Sequence, residues 1–274
     1  MKKSRLLPAF LLLTIAFTVN AQKLPNVQQT GFRSPDSIKI DGNLNEWGNK
    51  FMAYNSANKL FYSISNDNDN LYLVAEANDF YTIEKLLFGG ITLTIEMPND
   101  KGSKKVKVSS TFPVLGDNFP KVNDIFFSVS IASNNYLNDT AKTAKKKLDS
   151  LISMQNKKMQ ALFKEIGLAG IKEIQDTLIS VYNSDGIKAA MQFDGRLRCT
   201  YELAVPLKYL NADLKNDTKF KYNIKLIGKP GYQLIKGRNV PFPIINGSDG
   251  QPDPNELFLY NPTDFSGEYT LAKK

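Results

Sequence analysis

The chain has 274 residues, a formal net charge of +8, one cysteine and no histidine. The absence of histidine excludes Ser-His-Asp and Cys-His catalytic systems and His-ligated zinc or haem sites. A single cysteine can form neither an intrachain disulfide nor a multi-cysteine metal site. Three kinds of chemistry stay open: carboxylate catalysis, cation binding through oxygen ligands, and binding without catalysis.

Residues 1–21 have the pattern of a secretory signal peptide. Positive residues at positions 2, 3 and 5 precede an apolar stretch over 6–19, and Val19-Asn20-Ala21 supplies small residues where signal peptidase cleaves. The apolar stretch is shorter than the roughly 20 residues that a transmembrane helix needs. We therefore expect cleavage after Ala21 and a single exported domain over 22–274, in the periplasm or secreted. An uncleaved membrane anchor is the alternative, whereas a lipoprotein anchor is excluded because no cysteine lies near the cleavage point.

Most of the mature sequence alternates between apolar and polar residues, which is the pattern of strands with one buried face. The clearest examples are 91–97, 197–205 and 219–226. Turn sequences such as Asn183-Ser184-Asp185-Gly186 lie between the alternating segments. The sequence predicts an all-β fold, an antiparallel β-sandwich that is jelly-roll-like. Further strands are predicted at 59–65, 70–77, 104–110, 125–131, 176–182, 187–193 and 268–272.

Residues 139–166 interrupt this pattern. They lack Gly and Pro until Gly167, and their apolar residues recur at helical spacing, so we predict an inserted α-helix. Seven lysines lie off the apolar face: Lys142, Lys145, Lys146, Lys147, Lys157, Lys158 and Lys164. In one interpretation this basic face binds an anionic surface of lipid or polysaccharide. In the other, the apolar face packs on the sandwich and the lysines are solvated, which is the usual arrangement of amphipathic helices.

The remaining features do not identify a catalytic or metal site. Cys199 lies on the apolar phase of its strand, which predicts a buried, inert thiol. The segment Asp67-Asn68-Asp69-Asn70 offers oxygen ligands, but such clusters are commonly turns, so we assign no calcium site and no cofactor. Removing residues 1–21 takes away three of the positive charges, and the moderate excess that remains does not indicate nucleic-acid binding. The Pro- and Gly-rich segment 228–256 is predicted to be a binding loop.

Four short segments carry a family resemblance. They are Ile38–Trp47, with the pattern I-D-G-x-L-x-E-W, followed by Asn66–Leu73, Tyr201–Leu210 and Thr263–Leu271. In this order they resemble the opening, second, third and closing elements of carbohydrate-binding module family 9, a β-sandwich fold of exported bacterial proteins. Trp47 matches a core position of that family.

The resemblance implies binding of a polysaccharide or oligosaccharide without catalysis. In the family, two aromatic rings clamp a terminal sugar and polar side chains bind its hydroxyls. The two family tryptophans are not present, and the nearest aromatic positions include Tyr81 and Tyr260. The resemblance therefore implies a ligand site made of Tyr81 and Tyr260, with Glu84, Asn261 and Asp264 as polar neighbours.

Two other functions stay open. The first is a structural or interaction protein of the cell envelope that has the same fold and no sugar ligand, which the Lys-rich helix favours. The second is a carboxylate-dependent glycosidase. That enzyme would need two acidic side chains roughly 5–10 Å apart in an open cleft.

Overall fold

The computed structural model describes residues 23–48, 50–97, 106–210, 219–235, 238–241, 251 and 253–273. The predicted signal peptide and part of the predicted loop over 228–256 lie outside these ranges. Within them, eleven strands form two antiparallel sheets, and a hairpin forms a third, two-stranded sheet. The predicted antiparallel β-sheet architecture is thus confirmed.

The first sheet has the strand order β1-β2-β3-β9-β8. Its strands are β1 (Ala53–Asn55), β2 (Leu60–Asn66), β3 (Asn70–Ala77), β8 (Lys188–Phe193) and β9 (Cys199–Pro206). The second sheet has the order β13-β10-β4-β5-β6-β7. Its strands are β4 (Ile91–Met97), β5 (Val106–Phe112), β6 (Glu165–Ala169), β7 (Leu178–Ser180), β10 (Lys219–Leu226) and β13 (Thr263–Thr270). The hairpin pairs β11 (Tyr232–Ile235) with β12 (Arg238–Pro241).

The two large sheets share one hydrophobic core. The hydroxyl groups of Tyr62 on β2 and Tyr222 on β10 lie 3.0 Å apart, and both side chains are buried. The rings of Phe112 on β5 and Tyr201 on β9 have centroids 6.1 Å apart. Each contact joins one sheet to the other, an arrangement consistent with a β-sandwich.

Within the described ranges, four α-helices connect the strands: α1 (Phe80–Gly89), α2 (Phe119–Tyr136), α3 (Lys142–Leu162) and α4 (Pro254–Tyr260). The predicted inserted helix is confirmed as α3 with shorter bounds, because residues 165–169 form strand β6. Leu148, Ile152 and Met159 on α3 are buried in the core. Its apolar face therefore packs inward, as the second interpretation of this helix predicted. Among the described helices, none has both the length and the apolar character required to cross a bilayer.

The prediction of a strand over 125–131 is wrong, because these residues belong to α2. The buried residues of α2 are Val122, Ile125, Val129 and Ala132, which follow helical spacing. Two large apolar residues on the opposite face, Phe127 and Ile131, obscure that spacing in the sequence. Helices α1 and α4 were not predicted either, so the description of the fold as all-β with one helix is incomplete.

Helix α3 covers the edge of the first sheet at β8. The Asn156 amide donates a hydrogen bond of 2.9 Å to the Phe193 carbonyl and accepts one of 2.8 Å from the Phe193 N–H. An unpaired edge strand is a site for unwanted strand pairing, and the Asn156 amide occupies the outward backbone groups of β8 at Phe193. This contact also fixes the C-terminal half of α3 beside β8.

Candidate functional site

Two of the segments that carry the family resemblance meet at one buried carboxylate. Glu202 on β9 accepts hydrogen bonds from the Trp47 indole N–H (2.7 Å), the Gly42 N–H (2.7 Å) and the Asp41 N–H (3.0 Å). Burial raises the pKa of Glu202 to about 7, and the three hydrogen bonds act in the opposite direction. Trp47 is buried, as predicted, and it packs edge-on against Tyr72. We call this group the Glu202 junction.

The Asp41-Gly42 turn is held against strand β8. Gly42 has a φ of +88°, and a Cβ atom there would lie 2.9 Å from the backbone carbonyl carbon of Met191. The Thr200 hydroxyl donates a hydrogen bond of 2.6 Å to the Gly42 carbonyl. Only glycine satisfies both the backbone angle and the close approach. The turn therefore places Asp41 at the edge of the first sheet.

A cleft of about 530 Å³ lies at this edge, where residues from the β7–β8 turn, β8, the end of α3 and the Asp41 turn converge. We call it the edge cleft. Its apolar wall includes Phe112, Met159, Phe163 and Met191, and its polar residues include Asp41, Gln160, Tyr182 and Lys188. An apolar wall with a few polar groups is the usual composition of a small-molecule site.

Tyr182 is the most exposed large apolar or aromatic side chain of the described residues, at 75%. The turn that carries it is braced by Asn183, whose amide donates to the carbonyls of Ser180 (2.7 Å) and Ile187 (2.6 Å). The Lys164 ammonium donates to the Tyr182 hydroxyl at 2.8 Å and lies 4.7 Å from the ring centroid. These contacts hold an exposed ring in a defined position beside the edge cleft.

The polar residues of the edge cleft have unused hydrogen-bonding capacity. Gln160 and Lys188 form no side-chain hydrogen bond or ion pair with any other described residue. Asp41 uses one carboxylate oxygen to accept the Asn43 N–H at 2.8 Å. The neutral amide of Gln160, the ammonium of Lys188 and the carboxylate of Asp41 are therefore available to bind a ligand.

Three buried side chains beside the edge cleft have polar atoms without a hydrogen-bond partner in the described part of the chain: Gln155, Tyr201 and Ser110. Each is next to a residue of the apolar wall. Gln155 lies one helical turn before Met159, Ser110 is two residues before Phe112, and Tyr201 is directly opposite Met191 in the β8–β9 pairing. Buried polar atoms are nearly always paired, so each of these groups would be stabilised by a hydrogen bond to a bound molecule or to ordered water.

The residues predicted from the resemblance occupy another part of the surface. Tyr81 and Glu84 lie one turn apart on α1, and Tyr81 is 36% exposed. The Glu84 carboxylate forms a mostly buried ion pair of 2.5 Å with Lys229. Burial and the carboxylates of Glu256 and Glu84 raise the pKa of Tyr260 at the end of α4. Glu84 and Tyr260 are therefore neighbours, in what we call the α1–α4 corner.

Asn261 and Asp264 have partners of their own. The Asn261 carbonyl accepts a hydrogen bond of 2.7 Å from Lys85, and its amide donates to the Leu257 carbonyl at 2.9 Å. Asp264 accepts a hydrogen bond of 2.7 Å from the Asn223 amide. It lines a groove of hydroxyl, amide and charged side chains across the outer face of the second sheet. Asp264 thus lies in this groove, whereas Glu84, Tyr260 and Asn261 lie in the α1–α4 corner.

Asp67 and Cys199, which we interpreted as structural residues, lie in a turn and in the core. Asp67 accepts the N–H groups of Asp69 (2.8 Å) and Asn70 (2.7 Å) and the Tyr72 hydroxyl (2.6 Å), as a turn residue does. Cys199 is buried, and burial raises the pKa of its thiol. Within the described ranges, no cluster of three or more acidic or cysteine side chains could hold a metal ion.

Sequence reasoning missed the edge cleft. Tyr182 ends a predicted strand and immediately precedes a predicted turn, and an aromatic residue at such a position is a signal that a site search could have used. No family model matches the chain, and no curated protein shows significant similarity to it.

Proposed function

We propose that the protein is an exported, non-catalytic carbohydrate-binding module with a jelly-roll-like sandwich fold, similar to carbohydrate-binding module family 9. The observation that carries the proposal is the edge cleft, which combines an exposed, braced tyrosine with an apolar wall and unpaired polar side chains. Support for the family comes from the Glu202 junction, because it explains why the I-D-G and E-x-x-V-P segments occur together.

The chemistry of the edge cleft suits a short oligosaccharide. The C–H face of a pyranose ring stacks on an aromatic ring, and Tyr182 offers one. Asp41, Gln160 and Lys188 would accept from or donate to the sugar hydroxyls. The volume of about 530 Å³ lies within the range of small-molecule sites, roughly 300–1,000 Å³.

The absence of catalysis in this proposal rests on the composition of the edge cleft. Glycoside hydrolysis uses a pair of carboxylates. Among the described residues that line the edge cleft, Asp41 is the single acid. The α1–α4 corner holds two carboxylates, Glu84 and Glu256, near Tyr260, and Lys229 forms an ion pair with Glu84. The absence of catalysis is therefore proposed for the edge cleft alone.

A glycan array with point variants tests the function and its location. The protein is screened as wild type, Tyr182→Ala, Tyr182→Phe and Tyr260→Ala, with and without calcium. We expect Tyr182→Ala to weaken binding at least about tenfold because the stacking ring is lost, which corresponds to ~1.4 kcal/mol. Tyr182→Phe keeps the ring and should retain most of the affinity.

The outcomes separate the two candidate sites. Loss of binding in Tyr260→Ala alone would place the glycan site in the α1–α4 corner. The proposal that the protein binds carbohydrate would still hold. If the wild-type protein binds no glycan, the proposed function is wrong and an envelope interaction protein is the better interpretation.

A further inference from the structure

Helix α2 exposes an apolar face that nothing in the described structure covers. Phe127 is 64% exposed and Ile131 is 44% exposed, although both side chains are large and apolar. They lie one turn apart, opposite the residues that α2 buries, which include Ile125 and Val129. Adjacent exposed apolar residues of this size mark interaction surfaces more often than single ones do.

Helix α3 packs against α2 and carries lysines on its exposed side. The helix buries Leu148, Ile152 and Met159, so its other side is solvent-exposed. The exposed side carries Lys142, Lys145, Lys146, Lys147, Lys157 and Lys158. The ammonium of Lys147 lies 5.9 Å from the ring centroid of Tyr136, which brings the first turns of α3 next to the last turns of α2.

We call the solvent-exposed sides of the two helices together the helical face. Both helices bury one side in the same core and pack against each other, and each leaves its other side exposed to solvent. Leu137 and Met154 are also exposed there, at 38% and 48%. Residues 119–162 contain seven lysines and three aspartates, a net charge of +4.

We propose that the helical face docks on an anionic membrane surface. Lysines next to a membrane are attracted by anionic headgroups, and phenylalanine and isoleucine side chains enter the boundary between headgroups and acyl chains. The combination favours a membrane over an acidic polysaccharide, because a polysaccharide offers no apolar phase to Phe127 and Ile131. The proposal goes beyond glycan binding and is independent of it.

Vesicle co-sedimentation tests this proposal. The purified protein is mixed with vesicles of phosphatidylcholine alone or of phosphatidylcholine with phosphatidylglycerol. We expect binding to the anionic vesicles, with an affinity that falls as salt is added. The double variant F127S/I131S and the double variant K146E/K157E should each weaken binding roughly tenfold or more, since each lysine near the surface contributes ~1 kcal/mol.

Single variants elsewhere on the surface control for general effects of charge and of apolar exposure. Leu178 on β7 is 47% exposed and Lys172 is exposed, and both lie outside the helical face. L178S and K172E should bind the anionic vesicles as the wild-type protein does. Circular dichroism establishes that every variant is folded.

Three results would overturn the proposal. They are equal binding to neutral and anionic vesicles, equal losses in the control variants, and no binding to anionic vesicles, whether or not the protein is retained on an acidic polysaccharide. Loss of vesicle binding in the helical-face variants with glycan binding unchanged would establish the two functions separately.

Discussion

The Glu202 junction and the interior beside the edge cleft are both polar and buried, but they differ in how completely their hydrogen bonds are formed. At the junction, the Glu202 carboxylate accepts three hydrogen bonds and leaves the Trp47 and Gly42 donors satisfied. Beside the cleft, the Gln155 amide and the Tyr201 hydroxyl are buried without a partner in the described residues.

This difference predicts opposite effects of substitution at the two places. A satisfied carboxylate links chain segments that are about 160 residues apart in sequence, which is a structural task. An unsatisfied amide or hydroxyl costs free energy unless something binds to it. The predictions below test this distinction by removing one polar group at a time.

The largest effect is expected at the junction. Glu202→Ala removes the acceptor of the Trp47 indole and the Gly42 amide, and each buried donor left without a partner costs roughly 1–3 kcal/mol. We expect the free energy of unfolding to fall by roughly 3–5 kcal/mol, including the cavity that the substitution leaves. Urea denaturation followed by circular dichroism measures the change.

An exposed acid on the second sheet provides the control for Glu202. Glu165→Ala on β6 should change the unfolding free energy by less than about 0.5 kcal/mol. Comparable losses in the two variants would mean that the junction contributes no special stability.

Lys85 is a second satisfied group and should show the next largest effect. Its buried ammonium donates to the carbonyls of Phe258 (2.7 Å) and Asn261 (2.7 Å) and to the Thr263 hydroxyl (2.9 Å). These bonds connect α1 to the end of α4. We expect Lys85→Met to lower the unfolding free energy at neutral pH by roughly 2 kcal/mol, because three acceptors lose their partner.

The pH dependence of this loss follows from the ionisation of Lys85. Burial, and to a lesser extent the charge of Lys59, lowers the pKa of Lys85 to about 8 from 10.5. Between these values the unfolded chain binds more protons than the folded chain, so stability rises with pH. The wild-type protein should therefore gain stability relative to Lys85→Met as the pH rises from 8 towards 10. A constant difference across this range would show that the ammonium is well solvated.

Sequence patterns predicted the elements that have one buried face and one solvent-exposed face. In β10, Phe220, Tyr222 and Ile224 are buried while Lys219 and Lys221 are exposed, so period-2 alternation is clear. Helix α1 is short and buries residues on most of its sides, so its apolar residues do not form a single narrow stripe. In α2, the exposed Phe127 and Ile131 alternate with the buried Ile125 and Val129, and this period-2 pattern predicts a strand where the structure has a helix.

The candidate site was harder to predict than the fold. The prediction that Trp47 lies in the core is confirmed. It came from the resemblance of the segment Ile38–Trp47 to a family element in which the tryptophan is a core residue. The edge cleft joins Asp41, Gln160, Tyr182 and Lys188, which are brought together by the strand order rather than by any local pattern. Spacing along a chain cannot reveal a site that depends on which strands lie at the edges of two sheets.

The smallest change in stability, and one of opposite sign, is expected at Gln155. Both polar atoms of its fully buried side chain lack a partner among the described residues, and Met is an apolar side chain of similar length. Gln155→Met should leave the unfolding free energy unchanged or raise it by up to ~1 kcal/mol, because no hydrogen bond is lost and a desolvated amide is removed. If the amide serves the edge cleft, the same variant should bind glycans more weakly than the wild type, so stability and affinity change in opposite directions. A loss of more than about 1 kcal/mol would contradict this, since it would mean that the amide is satisfied in solution and belongs with Glu202 among the groups that hold the fold together.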